Sequence, residues 1–459
     1  MPPASHAGNA GHAPQPMGKV FLAFLLPMML ANILQSLSGT LNNIFLGHMI
    51  GVKALAAASA FFPVFLFLIS FVMGLGSGAT VLIGQAWGAK QPERVRAIAG
   101  TTLSVGLLGG LAVALFGGSF AHLLLRQLDT PPDILGDATN YARICLYAMP
   151  GFFAFLLMTT ILRGVGDAVT PLRALIVSTI VGLIVTPTLI AGWLGLPRLG
   201  VSSAAVGFVS SFLVTFVWLG LYLRWKGHAL APNAELFRHM RIDGAILKMV
   251  LRIGVPTALQ MVIMSLAEVA LLRMVNHFGS DATAAYGVGN QVLGYVQFPA
   301  MSISIAASIL GAQAIGAGHA ERLGSITRTG ILINCAITGS LLLLGYVFAH
   351  HLIALFTHSP DASAIAIRML HIVLWSTLVF GCASVVSGVM RSSGTVMIPV
   401  LLSVSAIVLV EVPVAWIMSR RIGIDGVWMA YPSAFFAMLV LQSAYYRLVW
   451  RKQRIQRLV

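Results

Sequence analysis

The sequence predicts an all-α polytopic membrane protein: twelve transmembrane helices in two six-helix bundles related by pseudo-two-fold symmetry. Three observations carry this expectation. The 459-residue chain is 58% hydrophobic and only 9% charged, with a mean hydropathy of +0.91, and a soluble surface needs far more charge, so the excess apolar surface faces a bilayer. Apolar runs at or above the roughly 18 residues that mark a spanning helix recur along nearly the whole chain. Short motifs return 228 positions later, in the same order.

Residues 1–18, "MPPASHAGNAGHAPQPMG", are rich in Pro, Ala and Gly and read as a flexible tail rather than the basic leader of a signal peptide. Span one covers 20–48, and its run from Val20 to Leu46 is too long for a cleavable signal core. Span two (52–87) starts after Gly51 and ends at "GAKQPER". Spans three (94–124) and four (134–162) flank "RQLDTPPD", whose charges and prolines break a buried helix. "RGVGD" separates four from five (168–194), and "GLPRLG" separates five from six (200–225). The polar stretch from Lys226 to Asp243 then divides the spans six and six, giving bundles over 19–225 and 244–450 with a linker over 226–243. Spans seven (246–278) and eight (281–316) meet at Gly279, and "GAGHAE" precedes span nine (322–352). "THSPD", "RSSGT" and "RRIGID" introduce spans ten (362–390), eleven (396–419) and twelve (425–449), and residues 451–459 form a basic tail.

The formal charge of +15 is spread along the chain, which argues against nucleic acid. Most of the 28 Lys and Arg, including Lys90, Arg94, Arg96, Arg224, Lys226, Arg451 and Lys452, fall at one set of helix ends. That is the positive-inside bias, and it puts both termini and the linker in the cytoplasm, with the protein in the plasma (bacterial inner) membrane. Cys145, Cys335 and Cys382 are odd in number and lack metal-ligand spacing, so neither a disulfide framework nor a metal site is expected. No paired His and Glu or activated nucleophile marks an enzyme, and no cofactor motif is present. Small-molecule organic substrates and membrane lipid are the expected partners of a monomer.

The repeat is legible residue by residue. Gln85, Ala86, Gly88, Ala89, Glu93 and Arg94 return as Gln313, Ala314, Gly316, Ala317, Glu321 and Arg322. "RGVGDAVTP" from Arg163 returns as "RSSGTVMIP" from Arg391, and "GVKALAA" from Gly51 as "GSDATAA" from Gly279. Six crossings return the chain to its starting side, so the copies are parallel repeats about an axis along the membrane normal. Such repeats hold a substrate between them and alternate access by rocking, which makes transport the leading function.

Of the 13 acidic residues, only Glu268 and Glu411 lie deep within spans. Glu268 is eleven residues before Gly279, about 16 Å along a helix, and Glu411 is nine before Arg420, about 14 Å. An ionised carboxylate in hydrocarbon costs several kcal/mol unless a cation or donor compensates, so these two can exchange a proton for a cation. They are the candidate coupling residues, for H+ or Na+. Gln35, Asn42 and Asn43 in span one, Gln260 in span seven, and Asn290, Gln291 and Gln297 in span eight are costly in lipid and are expected to face the interior. Tyr147, Phe152, Phe153, Met158, His371 and Trp375 are cavity candidates for flat apolar cations. Pro27 and Pro256, at matching places in spans one and seven, are expected to bend their helices.

"PMMLANILQSLSGTLNNIFLGHMIG" from Pro27, "GLGSGATVLIGQAWGAKQPERV" from Gly74 and "RGVGDAVTP" from Arg163, with their second-half echoes, resemble the multidrug and toxic compound extrusion (MATE) family over about 27–450. The resemblance implies a V-shaped pair of six-helix bundles and an antiporter that expels organic, usually cationic or amphipathic compounds against Na+ or H+. Many relatives carry an Asp in span one and another in span five; here those positions hold Asn42 and Thr186. Relatives with an acidic site in the second half commonly have Glu in span seven, as Glu268 is, and Asp in span ten, where this chain has no acid. The alternative weighed against export is a flippase of a lipid-linked precursor from the same wider superfamily; it would want a basic central cavity, and the spans carry few Lys or Arg.

Overall fold

The computed structural model describes residues 17–195, 198–354 and 359–459, apart from the side chains of Asn43, Val52, Leu194 and Phe237. Residues 1–16 of the expected tail therefore lie outside the described residues, while Met17 and Gly18 already belong to the first helix.

Ten continuous helices are long and apolar enough to cross a membrane: Met17–Ile50, Lys53–Gly88, Pro92–Gln127, Val169–Ala191, Ser202–Trp225, Gly244–Asn276, Ser280–Gly316, Ala320–Val347, Met397–Ile422 and Ile424–Lys452. They correspond in order to spans one, two, three, five, six, seven, eight, nine, eleven and twelve. Spans four and ten are each two limbs, Pro132–Tyr147 with Met149–Gly164, bent by 54°, and Pro360–Val373 with Ser376–Ser392, bent by 45°. Counting each pair as one crossing gives the expected twelve, and the described residues contain no strand.

The two bends differ from the single straight spans the apolar runs predict, and each has a local cause. In span four Pro150 has no N–H to give to the Leu146 carbonyl, so the ladder is cut beside Ala148. In span ten the hydroxyls of Ser376 and Thr377 donate to the carbonyls of Val373 and Leu374 at 2.6 Å, occupying acceptors at the joint. The repeat extends to these bends, since Tyr147 and Trp375, each at its joint, are also 228 positions apart.

The chain forms two compact units. The first takes the described residues of 30–87 and 91–255, the second 17–29, 88–90 and 256–459. Spans one and seven thus change unit within two residues of Pro27 and Pro256 respectively, while both helices run on through the proline. In the first unit Phe65, Phe152, Phe208 and Phe212 of spans two, four and six pack ring on ring, with centroids 5.0–5.7 Å apart. The linker is docked on this unit: Arg96 bonds both Glu93 and Glu235 at 2.9 Å, and the Arg241 carbonyl accepts from Thr101.

The second unit is built around span eight. Its long helix and the second limb of span ten meet through small residues, Ser304 and Gly311 facing Gly388 and Ser392, and the Ser304 hydroxyl donates to the Ser384 carbonyl at 2.6 Å. Small side chains let the two backbones approach closely enough for dispersion to hold them where lipid offers no hydrophobic drive. Outward-facing residues are apolar, as in Leu343, Val347 and Leu409, which suits lipid rather than water.

The repeated polar motif has a structural part in both halves. Span two ends at Gly88 and span eight at Gly316, and Glu93 and Glu321 stand in the first turns of the segments that follow. There an acid complements the helix dipole. The Glu321 carboxylate also meets the His319 ring, 2.9 Å away.

Candidate functional site

Glu268 is carried by span seven. Glu411 is carried by span eleven at the end of a π-turn, Ile407–Glu411, in which the Val412 N–H donates to the carbonyl five residues back. The cause lies in "EVP": Pro413 cannot donate to the Leu409 carbonyl, so the α-ladder is already broken one turn around the acid. Glu411 thus sits at an interruption of the α-helical ladder.

Both carboxylates line one cavity of about 50 Å³ inside the second unit. Gln297 of span eight and Tyr431 of span twelve add the remaining polar groups, and Met264, Phe380, Ile407, Phe435 and Met438 form most of the apolar wall. Glu411 is buried, 6% exposed, whereas Glu268 stands exposed at the rim. Their charges are close enough to interact. Among the described residues neither is ion-paired, so Arg273, five residues beyond Glu268, is not its partner. Two like charges sharing a small low-dielectric space repel, and a bound cation or a proton relieves them. A water needs roughly 10–15 Å³ of such space and a drug-sized ligand about 300–1,000 Å³. This cavity fits a proton with a few waters or one small cation, and excludes an organic substrate.

A hydroxyl chain leads away from the acids. Tyr431 and Tyr286 share a hydrogen bond of 3.1 Å between their hydroxyls, both rings buried. Trp428, fully buried, stacks on Tyr286 at 5.8 Å with the rings 10° apart. Tyr431→Phe keeps the ring and removes one hydroxyl, so it should cost about 0.5–1.5 kcal/mol in a detergent melting measurement. The same variant should change the pH or sodium dependence of transport if the hydroxyl faces the coupling ion.

The predicted residues thus separate. Glu268, Glu411 and Gln297 meet in the cavity, whereas Asn290, partly buried on span eight, is not part of its lining. Gln260 lies two turns before Glu268 and is partly buried; Gln291 is exposed and donates to the Tyr295 hydroxyl at 3.4 Å. His371, exposed, stacks on Tyr346, and Trp375 is exposed at the joint of span ten. In the first unit Gln35 and Tyr147 are exposed and Asn42 is partly buried, while the Asn43 side chain lies outside the described residues. Thr186, where relatives carry an acid, is buried against Gly207 of span six. Tyr286 and Tyr431 were not singled out by sequence reasoning; a hydroxyl-bearing ring within an apolar span was the available signal. The described residues hold no group of three His, Cys, Asp or Glu fit for a metal ion.

Comparison with known proteins bears on the family and the fold. A sequence profile described as MatE matches residues 27–188 and again 256–417, one copy in each half. The probable multidrug resistance protein YoeA of Bacillus subtilis (strain 168) is 46% identical over 438 residues, 95% of each chain. The probable multidrug resistance protein NorM of Thermotoga maritima is 25% identical over 414 residues, 89% of this chain and 88% of that one. Among solved structures, a single-residue mutant of the Vibrio cholerae MATE transporter VcmN shares the fold, with a TM-score of 0.88 at 20% identity, covering 96% of this chain and 98% of that one.

Proposed function

The chain belongs to the MatE family of integral membrane transporters, and from that premise we propose that it is a secondary active multidrug exporter. Its substrates are organic, cationic or amphipathic compounds, and inward movement of H+ or Na+ through the Glu268–Glu411 cavity drives their export. The relative sharing 46% of its residues is named as a probable multidrug resistance protein, which supports the substrate class. The observation that carries the coupling role is the cavity itself: two carboxylates, without ion-pair partners among the described residues, in a space too small for a drug.

The mechanism follows from that geometry. With the cavity empty and both acids ionised, repulsion disfavours the packed arrangement of spans seven and eleven; a proton or Na+ removes it. The π-turn at Glu411 gives span eleven a place where the helix ladder shifts at low cost, so the charge state of the pair biases the backbone. Coupling by linkage then requires that loading the cation weaken substrate binding, and the reverse, by the same factor. Counterflow of ethidium in proteoliposomes tests the reading. Imposing a proton or sodium gradient should drive it, and an ionophore for the coupling ion should stop it; flux indifferent to both gradients would refute ion-driven export.

We place the protein in the plasma membrane, with both termini and the linker cytoplasmic on the distribution of Lys and Arg. Single cysteines introduced by Gly227→Cys and Asp129→Cys, with the three native cysteines replaced, test this. An impermeant thiol reagent should label the second and not the first in intact cells, and labelling of the first alone would reverse the topology.

A further inference from the structure

Aromatic and basic side chains cluster in the first unit where span six finishes and span five begins. Trp218 and Tyr222 of span six stack at 5.0 Å with the rings 14° apart, and Trp225, 84% exposed, follows. Two cations converge on the Tyr222 ring. The Lys226 ammonium lies 4.9 Å from its centroid and the Arg173 guanidinium, from span five, 5.8 Å, while Arg173 also donates to the Tyr222 hydroxyl. Among the described residues neither cation has an acidic partner. Asp167, the acid nearest Arg173 in sequence, accepts from the Val169 and Thr170 N–H groups and lies 3.9 Å from His228. Glu235, the acid nearest Lys226 in sequence, is taken by Arg96. The ring stack has an echo, but the pair of cations does not. At the offset of 228, Tyr446 and Trp450 stack at 5.2 Å; Arg454 keeps the charge of Lys226, and Leu401 replaces Arg173. Trp450 is 2% exposed and donates its indole N–H to Ser393, so the second copy is closed where the first is open.

We propose that Arg173 and Lys226, held by Tyr222, bind the phosphate of an anionic phospholipid at this end of spans five and six. Two like charges gathered on one ring repel, and a phosphate between them replaces that repulsion with charge-assisted hydrogen bonds. A basic pocket between the ends of two spanning helices is the chemistry that recognises such a head group. Lipid rather than free phosphate is the source, because the cations sit at the end of an apolar, outward-facing surface. Ile176 and Ile180 on span five and Val217 and Leu221 on span six are all exposed, so an acyl chain lies against them while its head group reaches the cations. Trp225, the last residue of its span, suits the head-group level of a bilayer.

The test uses the full-length protein in neutral detergent, titrated with phosphatidylglycerol or phosphatidylcholine and read by native mass spectrometry. Wild type should hold a tightly bound phosphatidylglycerol in preference to phosphatidylcholine, and millimolar inorganic phosphate should not displace it. Arg173→Gln combined with Lys226→Gln should weaken phosphatidylglycerol binding about thirtyfold, or about fivefold per cation. Arg451→Gln, exposed in the C-terminal tail, should bind as wild type does. Melting temperatures check the fold. Should the double variant melt early, Lys226→Gln alone, which leaves the Arg173–Tyr222 bond in place, should still bind about fivefold more weakly. Binding of wild-type strength in the double variant or in Lys226→Gln, equal retention of phosphatidylcholine, or displacement by inorganic phosphate would overturn the assignment.

Discussion

Glu268→Gln should give a folded protein that binds substrate but no longer concentrates it against a gradient. Glutamine keeps the size and much of the hydrogen bonding at the cavity rim while removing the titratable charge, and among the described residues Glu268 has no ion-pair partner to strand. Gradient-driven accumulation should fall by about tenfold to a hundredfold, the range of a coupling free energy of about 1–3 kcal/mol. Glu411→Gln should act in the same direction. Because the acids share one cavity and sense each other, the double variant should lose little more than either single one. Transport assays in proteoliposomes, with melting temperatures as the control for folding, measure both quantities. Independent, additive losses would mean two separate sites.

Gly388→Val should be the most damaging single change to the second unit. A Cβ there meets the Ser304 carbonyl oxygen at 2.4 Å and its hydroxyl at 2.9 Å, and neither atom can retreat, because one is helix backbone and the other donates to Ser384. The second limb of span ten would have to move away from span eight along the whole small-residue seam, forfeiting dispersion contacts on both faces. A loss of about 3 kcal/mol or more is expected, seen as a lower melting temperature and poor recovery in mild detergent. Gly388→Ala should do the same to a smaller degree. The seam matters to the site as well, since Gln297 and Phe380 line the cavity from those two helices. Survivors should therefore transport poorly.

The helices were legible in the sequence because lipid imposes long apolar runs, and charges, Gly and Pro mark their ends. The acids were legible for a related reason: in spans nearly free of charge, Glu268 and Glu411 stand out by cost alone. Their meeting in one cavity was not legible. Spans seven and eleven are apolar almost all round, so no stripe of polar residues says which side faces which neighbour. The same lack of facing information hid Tyr286 and Tyr431, whose pairing depends on how spans eight and twelve pack. Pro150 could have announced the bend in span four, but the matching joint in span ten depends on Ser376 and Thr377 choosing carbonyls on the preceding turn, a choice that Thr159 and Thr160 of span four also make without a break. The passage of spans one and seven from one compact unit to the other near Pro27 and Pro256 is likewise a matter of packing.

Ion movement driven by substrate tests the account most directly. Proteoliposomes holding the purified protein, a trapped pH indicator or a sodium-selective dye, and no imposed ion gradient are given an organic cation on one side. Substrate flowing down its own gradient should drive H+ or Na+ the opposite way in wild type, and this counterflow should vanish in the Glu268→Gln, Glu411→Gln double variant while substrate binding persists. Counterflow of wild-type size in that double variant would contradict the assignment of coupling to this pair.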